Sequence, residues 1–396
     1  MKISELSHVT RDEIVKWTMD LVAIPSYKTV PGRETACAEY IRDVFAKEGI
    51  DAEVKEVVDG RCNVYAVLKG TGGGKNLLLN GHTDTVSPYG MEHATEPWIE
   101  DDCIWGRGTA DMKGPLVSMM AAVIEIKRSG KPLKGDVIYT GVIDEEERGY
   151  GIVDLVEHGF HADAAIVGEP CAFEVCVAQR GVEWFRFDLK GRQVHGGVQW
   201  LGVNAISKAI KLIHAIETEL QPQVNARTHP INHSSTVNVG VIHGGTELST
   251  VAGDCTVWVD RRWQPYEEYE QVLKEFQDII DRLSAEDPDF KCTMAVTDES
   301  TMPEGYIHWP FELDADSPFA QLVREKLALS SGEEVRFNGK TGWTDAGVIY
   351  HCMKIPTLVT GPGFVVEAHT THEHIPIDHL MIWADAYTRV ARSFCD

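Results

Sequence analysis

The run Asn76-Leu-Leu-Leu-Asn80 is a short strand with no polar face, and it leads straight into Gly81-His-Thr-Asp84. Such a strand has to be covered on both sides, as in the interior of a helix-flanked parallel sheet. The flanking segments supply helices. Thr10-Arg-Asp-Glu13 is a capping box with Ile14, Trp17 and Leu21 following at helical spacing. Tyr40, Ile41, Val44 and Phe45 form a second stripe that stops at Gly49. Alternation predicts strands at 52–57 and 63–68, and further strands are expected at 137–142 and 164–167, with helices at about 114–129 and from about 151.

Beyond about residue 180 the texture changes. Amphipathic strands near 184–189, 236–241, 256–259 and 291–296, with helices near 203–220 and 266–283, give the order β-α-β-β-α-β. After Pro310 an α/β texture returns, with a helix near 317–329. The expected fold class is therefore α/β: a mixed-sheet catalytic domain of residues 1–179 and 298–396, interrupted by an inserted α+β domain of residues 180–297. A chain of 396 residues is ordinary for such an arrangement.

Charge narrows the partners. The formal charge is 37 − 61 = −24, which argues against nucleic acid or an anionic membrane as the main partner. No stretch has the length and apolarity of a signal peptide or a bilayer span, so a cytoplasmic location is expected. The nine cysteines are scattered, odd in number and without a C-x-x-C pair. They read as reduced thiols, mostly small core residues. Any metal would then be held by His, Asp and Glu.

Several such residues stand at strand ends, where open α/β sheets place their sites. His82 and Asp84 form an H-x-D pair in which one imidazole nitrogen could bind a metal while Asp84 orients the ring through the other; a surface-loop pair is the plainer reading. Asp111, in Gly106-Arg-Gly-Thr-Ala-Asp-Met-Lys-Gly114, could bridge two cations or cap the helix that follows. Asp144-Glu145-Glu146-Glu147 places four acids after an apolar strand, either solvated or gathered around positive charge. Glu169 is an isolated acid in Val167-Gly-Glu-Pro170. His369 shares its segment with His372 and His374, and position alone does not choose among them.

Taken together, GHTDTV, GRGTADMKG, DEEERGYG, GEP and AHTTHE resemble the co-catalytic zinc amidohydrolases and peptidases. That family includes acetylornithine deacetylase, succinyl-diaminopimelate desuccinylase, aminoacylase and glutamate carboxypeptidase. The resemblance spans essentially the whole chain. It implies two Zn²⁺ ions, with Co²⁺ or Mn²⁺ as substitutes. His82 and Glu169 would serve one ion, His369 and Glu146 the other, and Asp111 would bridge them. By the same resemblance Glu145 is the general acid/base, with Asp84 behind His82. His195, in Gly191-Arg-Gln-Val-His195, would serve the oxyanion in a partner subunit's site, making the inserted domain a homodimerisation and lid domain. A histidine packed on the insert's own sheet is the alternative. Arg262, and next to it Arg261, would recognise a substrate carboxylate, unless they are a surface strand pair. Ser249, Thr344 and Gly361 fall in segments that resemble pocket-lining loops.

Some positions depart from the family pattern. His372 stands for the usual Asn or Asp, Cys171 for Thr or Ser, Ser249 for Asn, Ala252 for Pro and Gln199 for Pro. None is an implied ligand. The expected activity is deacylation of a small N-acyl amino acid bearing a free carboxylate, with a carboxypeptidase or dipeptidase as the alternative within the class and an inactive metal-binding relative outside it. No G-x-S-x-G supports a serine hydrolase. Gly339-Lys-Thr341 lacks the upstream Gly of a P-loop.

Overall fold

The computed structural model describes residues 6–396; the first five residues of the N-terminal segment considered above lie outside it. A nine-stranded mixed sheet forms the larger unit. Strands Leu77–His82, Val137–Val142, Ala164–Val167 and Thr357–Val359 run parallel in its centre. Asp51–Val58 and Arg61–Leu68 add an antiparallel hairpin on one side. Glu174–Gln179 pairs antiparallel with Thr357–Val359 on the other side, followed by Phe311–Glu312 and Arg336–Lys340.

The apolar run Leu77–Leu79 is a doubly covered strand. Leu77 and Leu79 enter one core, with helices Arg11–Val22, Thr35–Lys47, Gly114–Arg128, Pro318–Ser331 and Ile377–Phe394. Leu78 enters a second core on the opposite face, with helix Tyr150–His158 and residues 346–353. Each Cβ alternates across the pleat, so three successive leucines feed both. Burial of this kind contributes about 2 kcal/mol per leucine. The capping box at Thr10 and Glu13 is present in full.

The four-stranded antiparallel sheet runs Thr236–Gly244, Asp254–Trp263, Gly181–Lys190, Lys291–Val296, with helices Ala205–Ala215 and Tyr269–Glu286 packed on it over a separate core. The helix expected over 203–220 changes character at Ile216, where a wider turn precedes a short helix, Gln221–Asn225. Pro222 accounts for the break, since its missing N–H is tolerated only in a first turn. A small three-stranded sheet of Trp98–Glu100, Cys103–Trp105 and His374–Pro376 had no counterpart in the sequence reading. Among the described residues no helix is long and apolar enough to cross a membrane, and all nine cysteines are free.

At the root of the inserted sheet, Glu183 is buried and accepts hydrogen bonds from Ser300 Oγ (2.7 Å) and Tyr269 OH (3.1 Å). Burial pushes its carboxyl up to about 7. The fold therefore keeps a proton that the unfolded chain has already lost, so this group's share of stability falls as pH rises from about 4.5 to about 7 and is level above that. Glu183→Gln removes the penalty. Its Tm should gain on wild type between about pH 5 and about pH 7.5; parallel Tm curves for the two proteins across that range would refute the assignment.

Candidate metal centre

The parallel strands end at one edge, and the site lies there. His82 is the last residue of its strand and is buried. Its Nε2 lies 3.1 Å from Asp111 Oδ1, 3.4 Å from Glu169 Oε1 and 3.9 Å from Glu145 Oε2. His369 stands on the solvent side, its Nε2 3.0 Å from Glu146 Oε1 and 3.4 Å from Asp111 Oδ2. Asp111 thus turns one oxygen to each imidazole. It does not cap the following helix, whose first turn has no side-chain cap. Of the three neighbouring histidines, His369 reaches the acids. His372 is exposed, and His374 stacks on Trp105 at 4.3 Å.

Asp84 links two motifs. It lies 3.3 Å from His82 Nδ1, which also meets its backbone carbonyl at 3.0 Å. Its two carboxylate oxygens accept the backbone N–H groups of Glu145 (3.2 Å) and Glu146 (3.0 Å). One aspartate therefore positions the ring and the turn that carries the adjacent acids. The four-acid run divides by charge. Asp144 pairs with Arg61 (2.7 Å) and Arg33 (3.4 Å), and Glu147 with Lys28 (2.6 Å) and Arg33 (3.1 Å). Only Glu145 and Glu146 face the cluster, so a metal need not neutralise all four. Arg61 also grips the fully buried Glu34, a pairing with no local signal in sequence.

The electrostatics fit a cation. Burial, with Glu169, Asp345 and Glu146 nearby, pushes the Glu145 carboxyl well above the ordinary range, although His82 opposes it. Burial likewise raises Glu146 to about 7, against a hydrogen bond with His369. Hydrogen bonds to Asp111 and Glu146 hold His369 protonated up to about 11. In this state the imidazoles carry the positive charge that so many buried acids require. Glu169 Oε1 is buried without a hydrogen-bond partner. Two overlapping groups, His82 with Glu145 and Glu169, and His82 with Asp111 and Glu146, place ligand atoms within 4.8 Å of one another. Imidazole and carboxylate donors at that spacing fit divalent cations of the zinc, cobalt or manganese type.

Two neighbours escaped the sequence reading as members of this cluster. Asp345 is buried, accepts from Asn80 Nδ2 at 3.0 Å, and is raised to about 7 by burial. Lys340 is buried with Nζ 3.7 Å from Glu169 Oε2 and 3.0 Å from the Pro170 carbonyl. Both sit on the segment after the Arg336–Lys340 strand begins, an element that carries no clear periodicity.

Six further candidates remain. Arg261 is a correction: its guanidinium is fully buried and paired with Glu267 (2.7 Å) and Glu275 (3.2 Å), so a substrate carboxylate does not reach it. Strand alternation sends Arg262 to the opposite face, where it pairs with Asp260 and donates to the Thr341 carbonyl at 3.2 Å. His195 is exposed on the insert, its Nδ1 accepting from Gly197 N–H at 3.0 Å, and Ser249 lies beside it, accepting from Gly196 N–H at 2.6 Å. Neither has a hydrogen bond to the cluster of its own chain among the described residues. Thr344 is buried and donates to Gln179. Gly361 packs so tightly that a Cβ would stand 2.0 Å from the Gly168 carbonyl oxygen, so glycine lets this loop close against Gly168 and Glu169.

A mixed sheet with acids and imidazoles gathered at its parallel edge is the frame of a candidate metal site, and a family match assigns it to the metal-dependent hydrolases of amide bonds. The sequence profile of peptidase family M20/M25/M40 matches residues 78–393, and the chain belongs to that family. It is 30% identical to an N-formyl-4-amino-5-aminomethyl-2-methylpyrimidine deformylase of Halalkalibacterium halodurans, over 98% of this chain and 95% of the relative. A probable succinyl-diaminopimelate desuccinylase of Staphylococcus epidermidis is 24% identical, over 98% and 99%. Among solved structures, a tripeptidase from Staphylococcus aureus superposes with a TM-score of 0.81 at 21% identity, over 98% of this chain and 100% of that one.

Proposed function

We propose that the protein is a homodimeric dizinc amidohydrolase that removes a small acyl group from the nitrogen of an N-acyl amino acid or related amide. The observation that carries this reading is Asp111, with one oxygen 3.1 Å from His82 and the other 3.4 Å from His369. His82 and Glu169 would hold one cation, His369 and Glu146 the other, and Asp111 both. Cations there would polarise an amide carbonyl and acidify a water.

The chain's own groups do the rest. Glu145 accepts the proton of the attacking water as its oxygen bonds to the acyl carbon. It then delivers that proton to the nitrogen as the C–N bond breaks, a contribution of roughly 10²–10⁴-fold. Its carboxylate, 3.9 Å from His82 Nε2, is placed to hold a proton between the two steps. Asp84 keeps His82 and Glu145 in register. His195 supplies a hydrogen bond to the oxyanion of the partner's substrate. The edge strand Thr236–Gly244, with Val241 and Ile242 45% and 44% exposed, and the exposed Ile210 on the adjacent helix favour pairing through the insert. The names of the deformylase and desuccinylase relatives support a deacylase over a peptidase. Arg262 would take a substrate carboxylate by exchanging it for Asp260.

Elemental analysis joined to a substrate panel tests the reading. A metal-replete preparation should contain about two zincs per chain and hydrolyse one of the N-formyl, N-acetyl or N-succinyl compounds better than dipeptides. Chelation should remove that activity and added Zn²⁺ restore it. Activity indifferent to chelation, in protein without metal, would sink the proposal. Bound metal with no turnover on the whole panel would favour an inactive relative.

A further inference from the structure

We propose that Glu373, locked by Arg107, is the positioning residue that fixes the bridging carboxylate Asp111 and sets its distance from His369. The inference rests on the dinuclear reading above. Glu373 is fully buried. One of its oxygens accepts three backbone N–H bonds, from Gly108, Ala110 and Asp111, each 3.0 Å long. Its other oxygen pairs with Arg107 Nη1 at 2.5 Å, and Arg107 is itself only 2% exposed.

Such a carboxylate is not spare core. A buried anion is costly unless its hydrogen bonds are met, and here the acceptors are spent on the loop that presents Asp111. With its N–H pinned to Glu373, Asp111 turns its carboxylate to His82 and His369, 3.1 and 3.4 Å away. Arg107 extends the clamp in the other direction. Its Nη2 donates to the Thr370 carbonyl at 3.0 Å, one residue beyond His369, and Gly106 N–H donates to the Glu373 carbonyl at 3.2 Å. Asp111 and Glu373 are 262 residues apart in the chain, yet one ion pair staples the two segments. Two ligands of one cation would thus owe their separation to a pair that touches neither substrate nor metal.

The test uses Co²⁺ alone as the probe, on the full chain, in wild type, Glu373→Gln and Asp385→Asn. Glutamine keeps the shape of Glu373 but removes the charge that holds Arg107. Asp385 is a control of the same kind: a buried carboxylate bonded to Ser330 and Arg389, away from the cleft. Glu373→Gln should weaken Co²⁺ binding by about tenfold to a hundredfold and shift the visible absorption of the bound ion, with kcat falling more than KM changes. Asp385→Asn should match wild type in affinity and spectrum even if its Tm drops. Wild-type affinity and spectrum in Glu373→Gln, or equal losses in both variants, would overturn the assignment. If Glu373→Gln does not fold, Arg107→Lys carries the same test: it keeps the charge and loses the second arm, so unchanged Co²⁺ binding would overturn it. Wild type that binds no Co²⁺ would instead defeat the dinuclear reading itself, a distinct outcome.

Discussion

Glu145→Gln is expected to lower kcat by roughly 10²–10⁴-fold while metal content and Tm stay near those of wild type. Under the proposed mechanism the carboxylate is needed twice, to take a proton from water and to return it to nitrogen. The amide can do neither. It fills the same space and leaves the proposed metal ligands in place, so no loss of stability should accompany the loss of rate. Glu146, one residue on, is the contrast. It lies 3.0 Å from His369 Nε2, so Glu146→Gln should lower the metal content along with the rate. Steady-state kinetics beside elemental analysis separates the two. A Glu145→Gln enzyme with ordinary kcat would remove the residue from the mechanism.

His195→Ala should cost about 10²–10³-fold in kcat, the usual loss for one oxyanion donor, with metal content unchanged. His195 is exposed and has no bond to its own chain's cluster among the described residues, which leaves it free to act in a partner subunit. Mixing settles where it acts. In a dimer of one Glu145→Gln chain and one His195→Ala chain, the second chain retains Glu145 and receives the first chain's His195. Random exchange between the two variants should then restore about a quarter of wild-type activity, since half the dimers are mixed and each has one working site. No recovery on mixing, with exchange verified by mass, would place His195 within its own chain or outside the reaction.

The sheet and its coverings were legible because their signals are local. A run of three leucines, a capping box and the elements of a β-α-β-β-α-β order are each written in local sequence, and their periods follow from backbone geometry. The cluster was legible for a different reason. His82, Asp111, Glu145, Glu146, Glu169 and His369 lie in five motifs whose succession resembles a known family, while each motif alone had a bland alternative. Periodicity does not report charge partners, which explains what was missed. Arg61 and Glu34, or Arg107 and Glu373, meet only after the chain has folded, and Glu373 was overshadowed by the histidines beside it. Lys340 and Asp345 follow the same rule.

By itself, then, the sequence determined the class of fold, the insertion and the residue types able to hold divalent cations, since these depend on local pattern and motif order. Tertiary structure alone decided that Arg261 is spent on Glu267 and Glu275, that Asp84 holds the N–H groups of Glu145 and Glu146, and that Glu373 holds the turn carrying Asp111. Those outcomes depend on which backbone N–H groups and charges are left without partners when distant segments close on one another. Burial makes each such group costly to leave alone, and only the folded chain determines which partner is near.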